Sequence, residues 1–195
     1  MHLNLRCRCG QLRGRVDPAR AAARAVCYCK DCQAYGRFLG GDGILDAAGG
    51  TEVAATLPAA VRFEAGMEHL ACMSLSPKGL YRWYARCCRT PIGNTPRDPR
   101  TAYVGLMRAC LDAPRDELDR VLGASVCRVE TQSAQAKVAP TGLRTARAVL
   151  GIGWMLVKAR LGGGYRDNPF FRAATCDPVQ APQVLSLEER RALTP

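Results

Sequence analysis

Aromatic residues and lysine are scarce in this sequence. Phe, Trp and Tyr make up 6% of the 195 residues, and only four of the 28 basic residues are lysines. Proteins that bind single-stranded nucleic acid stack bases on aromatic side chains within a basic groove. The net charge is +11, but the arginines are spread from Arg6 to Arg191 without a dense block. The composition therefore gives no strong nucleic-acid signal.

Long apolar runs are also missing. No stretch reaches the roughly 18 uninterrupted apolar residues of a membrane span, and the amino terminus carries no signal-peptide core. We therefore expect no transmembrane segment and a cytoplasmic location. Thiols stay reduced in that compartment, so clustered cysteines there indicate a metal site more often than disulfide bonds.

Histidine, a common general base of enzymes, is nearly absent. His2 lies near the amino terminus, and His69 falls in a predicted strand, where a packed or surface histidine is the commoner case. Asp31 lies between two close-set cysteines and is more typical of a supporting or solvated acid than of a proton shuttle. The sequence therefore predicts no catalytic residue beyond metal ligands.

Cysteine, in contrast, is abundant. Seven of the eleven cysteines fall into three tight groups. Close-set thiolates are the ligands that a soft, tetrahedral metal such as zinc selects; the alternative is a set of short disulfides or of buried thiols without a metal. The remaining four, Cys72, Cys110, Cys127 and Cys176, are typical of ordinary buried thiols. The predicted zinc ligands are Cys7, Cys9, Cys27, Cys29, Cys32, Cys87 and Cys88.

The first cysteine group lies in a predicted β-turn. A strand over Leu3–Arg6 and a return strand over Gln11–Val16 flank this group. Gly10, directly after it, lets the backbone fold tightly, so that N–H groups can point at a thiolate sulfur.

The second group begins in a predicted extended segment. Cys27 and Cys29 alternate along this segment and so face the same side. Cys32 follows by a turn. The stretch from Gly36 to Gly43 holds four glycines and is predicted to be a loop.

The rest of the first half has the pattern of a mainly β protein. Pro77 and Gly79 lie where a β-turn between two strands favours them, and the second of these strands leads to the turn with Cys87 and Cys88. We therefore predict a sheet held together by zinc rather than a helical bundle. The predicted strands here are Thr51–Thr56, Met67–Leu75, Leu80–Tyr84 and Ala102–Leu106.

Helices are predicted in the second half of the chain. Pro114–Leu122 has proline near its start and acidic residues in its first turn, and Leu143–Leu161 ends at three glycines. A strand over Ser125–Glu130 separates them, and the tail from Tyr165 to Pro195 is predicted to wrap the surface. We divide the chain into a zinc-binding β domain, residues 1–125, and a helical extension packed on it, residues 126–195.

The long helix has one apolar face. Arg144, Arg147 and Lys158 lie on the other face. This pattern predicts a helix that packs on the sheet or on a second copy of the chain, in a homodimer; binding to a membrane surface is the alternative. The predicted apolar face comprises Ala146, Val149, Leu150, Gly153, Leu156, Val157 and Leu161.

The order of the cysteine motifs resembles one known family, the glutathione-dependent formaldehyde-activating enzymes and centromere protein V. The resemblance covers residues 3 to 112. It implies a tent-like β-sheet fold in which the first and third groups hold a structural zinc, while the second group holds an exchangeable zinc with an open position. The motifs are Cys7-Arg8-Cys9-Gly10, Cys27-Tyr28-Cys29-Lys30-Asp31-Cys32-Gln33 and Cys87-Cys88-Arg89-Thr90-Pro91-Ile92.

The chain departs from the family pattern in two places. Tyr28 stands where members usually have histidine. The late pair is normally Cys-x-x-Cys-Gly, which would place a cysteine at Ala85 and a glycine at Arg89. Adjacent cysteines point apart on a regular backbone. We therefore expect the late pair to join the structural zinc in an altered geometry, or this zinc to have only three good ligands.

The resemblance implies a zinc-dependent carbon–sulfur lyase that acts on a thiol–aldehyde adduct of the glutathione and formaldehyde type. Three cysteine ligands leave one tetrahedral position for water or for a small-molecule thiol substrate, whose pKa zinc would lower. Arg37, Gly40 and Gly41 are the predicted substrate-binding residues, because an arginine could meet the carboxylates of a peptide-like thiol. The alternative function is a non-catalytic zinc-stapled binding module for protein, nucleic acid or a membrane surface.

Overall fold

The computed structural model describes residues 2–124 and 126–194. Within these residues the chain forms two β-sheets and four α-helices. The predicted fold class, mainly β with C-terminal helices, is confirmed. The strands are β1 Leu3–Arg6, β2 Arg13–Val16, β3 Ala21–Cys27, β4 Thr51–Thr56, β5 Val61–Ala65, β6 Leu70–Ser74, β7 Tyr81–Ala85, β8 Thr90–Thr95, β9 Val104–Met107, β10 Val126–Val129 and β11 Gln183–Val184. The helices are α1 Lys30–Phe38, α2 Arg115–Leu122, α3 Gly142–Leu161 and α4 Leu187–Leu193.

The small sheet has three antiparallel strands in the order β1-β2-β5. Burial alternates along β1 and β2, with Leu3, Leu5 and Val16 directed inward, as the two-residue period of a half-buried strand requires. The turn between β1 and β2 carries the first cysteine group. The predicted hairpin is confirmed, and β5 is a strand that the sequence pattern did not predict.

The large sheet has eight strands in the order β10-β3-β4-β9-β8-β7-β6-β11. Its six central strands pair antiparallel, whereas β10 joins β3, and β11 joins β6, in parallel. Both edge strands come from the part of the chain after residue 125. The predicted strand over Ser125–Glu130 is observed as Val126–Val129, while Ser125 itself lies outside the described residues. The proposed division between residues 125 and 126 stays a prediction.

The main core lies between the two sheets. Trp83 is fully buried and packs against Phe170 and Phe171, whose rings lie 5.2 Å and 6.3 Å from it. Phe63 of β5 meets Phe170 edge to face. The tail after Tyr165 therefore does more than wrap the surface, since it supplies two aromatic side chains to the core. Pro195, at the end of the predicted tail, is outside the described residues.

Helix α1 replaces the turn predicted at Cys32 and the first residues of the loop predicted from Gly36 to Gly43. Cys29 caps the helix, since its sulfur accepts a hydrogen bond from the backbone N–H of Cys32 at 3.4 Å. Gly36 lies inside the helix because Leu45 packs against it; a β-carbon there would come within 2.5 Å of the Leu45 side chain. This glycine is required by close packing, and the loop proper begins only at Gly40.

Helix α3 packs on the large sheet through a different face from the one predicted. Ile152, Met155 and Ala159 are directed toward β3 and β10 and are partly or fully buried. Of the predicted apolar face only Leu156 is half-buried, and the other six residues are exposed. Apolar residues occur on both sides of this helix, so the sequence pattern did not distinguish the buried side. No helix in residues 2–124 and 126–194 is long and apolar enough to cross a membrane.

Gly66, directly after β5, allows a close approach of two backbones and gives a test of the fold. Its φ is +79°, and a β-carbon there would lie 2.1 Å from the carbonyl oxygen of Gln11. We expect Gly66→Ala to lower the free energy of unfolding by about 3 kcal/mol, because left-handed strain and a backbone clash add. Urea unfolding with zinc present throughout measures this change.

The matched control for this substitution is Gly43→Ala. Gly43 also has a positive φ, +69°, but a β-carbon there meets nothing within 4 Å. We expect a loss of only about 1 kcal/mol, from the left-handed conformation alone. Equal losses at the two positions would contradict the contact between Gly66 and Gln11.

Candidate metal centres

The first and third cysteine groups meet in one four-sulfur cluster. Cys7 and Cys9 come from the β1–β2 turn, and Cys87 and Cys88 come from the β7–β8 turn, so the cluster joins the small sheet to the large one. The Sγ atom of Cys9 lies 3.5 Å from that of Cys7 and 3.3 Å from that of Cys87. The Cys7–Cys87 and Cys87–Cys88 separations are both 3.9 Å.

These separations suit a tetrahedral zinc ion. Zinc–sulfur bonds of about 2.3 Å place the sulfurs of a tetrahedral site roughly 3.8 Å apart. A disulfide, in contrast, needs a sulfur–sulfur distance of about 2.05 Å. All eleven cysteines lie within the described residues, and all are free thiols. The four-sulfur cluster can therefore hold a metal ion, and the alternative of short disulfides is not observed.

Each pair of cysteines in this cluster lies in a tight turn of the backbone. Gly10 takes a φ of +76°, and the backbone N–H of Leu12 donates to the Cys7 sulfur at 3.3 Å, as the sequence predicted. Arg89 takes a φ of +55°, the left-handed conformation that the glycine expected there would adopt at lower cost. Cys87 and Cys88 both reach the cluster because they lie in the turn of residues 86–89, outside the regular strand in which successive side chains point apart.

Hydrogen bonds around Cys88 favour its thiolate. Burial raises the pKa of the Cys88 thiol, but donation from the Thr90 hydroxyl and from the backbone N–H groups of Cys9 and Thr90 outweighs it and lowers the pKa to about 6. The Thr90 hydroxyl lies 3.0 Å from the Cys88 sulfur. A thiol with a low pKa is deprotonated near neutral pH, which is the form that binds zinc.

The second cysteine group forms a separate three-sulfur cluster, which we call the triplet: Cys27, Cys29 and Cys32. Cys27 ends β3, Cys29 caps α1 and Cys32 lies in the first turn of that helix. Their sulfurs all lie within 4.8 Å of one another. The triplet is thus built on a strand-to-helix junction rather than on the strand and turn that the sequence predicted.

Gln33, the residue after the triplet, holds this junction in place. Its side-chain amide donates to the carbonyl oxygens of Tyr28 and Ser133, each at 2.7 Å. Tyr28 itself turns to the opposite face of the chain, where its hydroxyl donates to Asp46 at 3.2 Å. The residue that replaces the histidine of the family pattern therefore does not face the triplet sulfurs.

The surroundings of the triplet favour negative charge on the sulfur of Cys32. Hydrogen bonds from the Cys27 and Cys29 thiols, and then the positive charge of Arg82, hold the pKa of Cys32 well below its ordinary value despite burial. The amino terminus of α1 adds a partial positive charge at the same place. The pKa of Cys27 is raised by its hydrogen bonds to Cys29 and Cys32 and by burial. The hydrogen bond with Cys27 lowers the pKa of Cys29, but its hydrogen bond with Cys32 and burial outweigh this effect and raise the pKa. Cys32 is therefore the triplet sulfur that ionises most readily, and a soft cation would favour loss of the other two protons.

Arg82 is a site residue that the sequence reasoning missed. It lies on β7, is buried, and places a guanidinium nitrogen 3.9 Å from the Cys32 sulfur and 3.3 Å from the side-chain oxygen of Asn94. The guanidinium group also stacks 5.2 Å from the ring centre of Tyr35. The signal was an arginine in the middle of the apolar strand Tyr81–Ala85, since a charge at a core position needs a buried partner.

Tyr103 is a second residue near the triplet that the sequence did not indicate. Burial, followed by the negative charges of Cys32 and Cys27, raises the pKa of its phenol to about 12. Gly105 makes room for it, because a β-carbon there would lie 2.9 Å from the phenol oxygen. Tyr103 therefore keeps its proton at neutral pH.

The predicted substrate-binding residues lie at the other end of α1. Arg37, in the last turn, donates to the carbonyl oxygen of Leu193 at 3.0 Å. Gly40 and Gly41 follow the helix, roughly 10 Å from Cys32 along its axis, and a β-carbon at either would meet nothing within 4 Å. The structure does not bring these three residues to the triplet, and their binding role stays a prediction.

A family match covers most of the sequence. Residues 2–174 match a family of unknown function, DUF6151. The chain belongs to this family. The matched range includes both cysteine clusters and helix α3.

Other comparisons add little. No curated protein matches the sequence at a significant level. A crystal structure of a Rhodobacter sphaeroides protein, determined in a structural genomics programme, is similar with a TM-score of 0.43 and 18% identity, over 64% of this chain and 98% of that one. That similarity is too low to support an inference about this chain.

The two clusters predict the metal content. We expect two zinc ions per chain after dialysis against a weak chelator, because both clusters can hold an ion. Cys87→Ser should remove the ion of the four-sulfur cluster and leave one, measured by atomic emission. Cys176→Ser is the matched control and should leave two ions, since Cys176 belongs to neither cluster. If the Cys87→Ser variant holds as much zinc as the wild type, the four-sulfur cluster is not a zinc site.

Thiol reactivity gives a second test. Cys72, Cys110 and Cys127 are buried as predicted, whereas Cys176 is exposed, against the prediction. With zinc bound, we expect one fast-reacting thiol per chain, that of Cys176, because zinc protects its ligands. A strong chelator should add the seven ligand thiols. Fast reaction of Cys9 and Cys87 in zinc-loaded protein, identified by mass spectrometry, would argue against metal binding at the four-sulfur cluster.

Proposed function

We propose that this protein is a zinc-dependent carbon–sulfur lyase that acts on a thiol–aldehyde adduct of the glutathione and formaldehyde type. The observation that carries this proposal is the unequal number of ligands in the two clusters. Four cysteines can surround an ion at the first cluster, but the triplet offers three, and no further His, Cys, Asp or Glu among the described residues joins it. Structural zinc sites have four protein ligands, and catalytic sites keep one position open.

The motif order supports a distant relation to the glutathione-dependent formaldehyde-activating enzymes. Cys7, Cys9 and Gly10 precede the triplet, and the late cysteine pair follows it, in the order typical of that family. The four-sulfur cluster would have the structural role. Its position between the two sheets and its exposed outer sulfurs, Cys9 and Cys87, suit an ion that fastens two turns.

The reaction needs a thiolate and a source of a proton. A thiol adds to an aldehyde when its sulfur attacks the carbonyl carbon; a carbon–sulfur bond forms and the carbonyl oxygen takes up a proton. In reverse the bond breaks, the hydroxyl proton is released, and the thiol and the aldehyde separate. Zinc bound by three thiolates would supply a Lewis acid that lowers the pKa of the substrate thiol.

Residues of this chain would support that chemistry in two ways. Arg82 offsets the negative charge of the three thiolates and orients Cys32, which favours entry of another anionic sulfur into the site. Tyr103 holds a proton at neutral pH and is close enough to the triplet for the charges of Cys32 and Cys27 to raise its pKa. We assign this phenol as the proton donor to the aldehyde oxygen.

Exchange spectroscopy tests this function. In zinc-loaded protein mixed with formaldehyde and glutathione, we expect faster exchange between free glutathione and its S-hydroxymethyl adduct, measured by NMR. Cys29→Ser should abolish the acceleration because it removes a ligand of the triplet. Tyr103→Phe should reduce it by about 10²-fold, the usual effect of losing a general acid, and should leave the zinc content unchanged.

Controls separate chemistry from folding. Cys176→Ser should accelerate exchange as the wild type does, and cysteine, coenzyme A and other small thiols should replace glutathione in turn. If the protein holds two zinc ions and accelerates exchange with none of these thiols, the proposed lyase activity is wrong and the non-catalytic binding module is favoured.

A further inference from the structure

Helix α3 presents an apolar stripe to solvent. Leu143, Leu150, Trp154, Val157 and Leu161 project from one side of the helix, as their three- and four-residue spacing requires. Leu150 is 74% exposed, Trp154 62% and Leu161 85%. Single exposed apolar residues are ordinary, but a row of four, from Leu150 to Leu161 along about three turns of one helix, indicates a surface that becomes covered.

The helix already packs on the sheet through its other side. Thr145, Ala148, Ile152, Met155 and Ala159 follow the inner face, where α3 meets β3 and β10. Because these residues satisfy the packing of the helix, the outer stripe is not required for the fold of this chain. We therefore expect the apolar stripe to be covered by a binding partner from outside this chain.

Positive charge surrounds the stripe. Residues 131–166 contain six basic side chains and no Asp or Glu. On α3 itself, Arg147 and Lys158 flank one edge of the stripe and Arg160 flanks the other. Beyond the helix, Arg20 and Arg100 line the surface depressions next to Trp154 and Leu161, together with one acidic residue, Asp98.

This charge distribution decides between the possible occupants. Two copies of α3 would bring like charges face to face without a carboxylate on either helix to pair with them, and such juxtaposition disfavours association. An anionic surface pairs with all of these cations at once. A helix with an apolar stripe, flanking Lys and Arg, and Trp near its middle is the form that lies in the headgroup region of a bilayer.

We propose that the outer face of α3 docks this protein on anionic phospholipid membranes, with Leu150, Trp154 and Val157 entering the acyl boundary. Arg147, Lys158 and Arg160 contact lipid phosphates. The helix lies parallel to the membrane plane, with its inner face on β3 and β10. This inference does not depend on the lyase activity.

The two tryptophans of the chain allow a direct measurement. Trp83 is buried in the core, whereas Trp154 lies on the stripe. On addition of vesicles of phosphatidylcholine with 30% (about one lipid in three) phosphatidylglycerol, we expect a blue shift of the Trp154 emission and quenching by brominated acyl chains. Trp154→Phe should remove both signals while the protein still sediments with the vesicles.

A pair of charge-matched variants tests the face. Leu150→Glu should lower the vesicle partition coefficient at least about tenfold, because it puts a carboxylate into the apolar boundary. Leu187→Glu, at a residue of α4 that is 62% exposed and lies off the stripe, changes the net charge equally and should cost less than about fivefold. Unchanged zinc content and circular dichroism will show that both variants are folded.

Each other outcome overturns the proposal. Equal binding to neutral and anionic vesicles would show that the basic residues beside the stripe do not contribute to binding. No binding to either kind of vesicle would show that the stripe does not dock on a membrane. A dimer in sedimentation that Leu150→Glu dissociates, without lipid binding, would assign the stripe to a second copy of the chain. Because formaldehyde exchange is measured without vesicles, failure here is distinguishable from failure of the lyase.

Discussion

The meeting of four sulfur atoms from two turns is the constraint on which the rest of the structure depends. Cys7 and Cys87 are eighty residues apart in sequence, yet their sulfurs are 3.9 Å apart. Thiolates at this distance repel one another unless a cation lies between them, so metal affinity and the junction of the two sheets are coupled. The same junction fixes the end of β7, the strand that carries Arg82 under the triplet. The four-sulfur cluster and the triplet are therefore connected through one strand, β7.

Local chemistry made much of this architecture predictable. The spacing of the cysteines indicated metal ligands, Gly10 indicated the tight turn at Cys7, and the turn residues Pro77 and Gly79 indicated a strand on either side of them. The adjacent cysteines were the difficult case, because a regular backbone separates successive side chains. The resolution lies at Arg89, which adopts the left-handed conformation that sequence reasoning reserves for glycine. The turn of residues 86–89, which ends at Arg89, is thus what lets four ligands converge.

Features that depend on contacts between distant segments could not be predicted. Gly36 was one of the four glycines that predicted a loop, although it lies inside α1, where it lets the Leu45 side chain approach. Arg82 joined the triplet from a strand fifty residues away, and no local pattern connects the two. In α3 the buried side has small and medium residues, such as Ala148 and Ala159, and the exposed side has the larger ones. A rule that buries the most apolar face therefore chose the wrong side.

The two parallel edge strands have a consequence for biosynthesis. β10 covers β3 at one edge of the large sheet, and β11 covers β6 at the other. An uncovered edge offers unpaired backbone groups to any passing chain. On the ribosome, residues up to Met107 can pair among themselves, but the edge at β6 stays open until Val184 has been translated. Until then the nascent polypeptide exposes unpaired backbone groups along β6, to which an extended segment of another chain could add as a further strand.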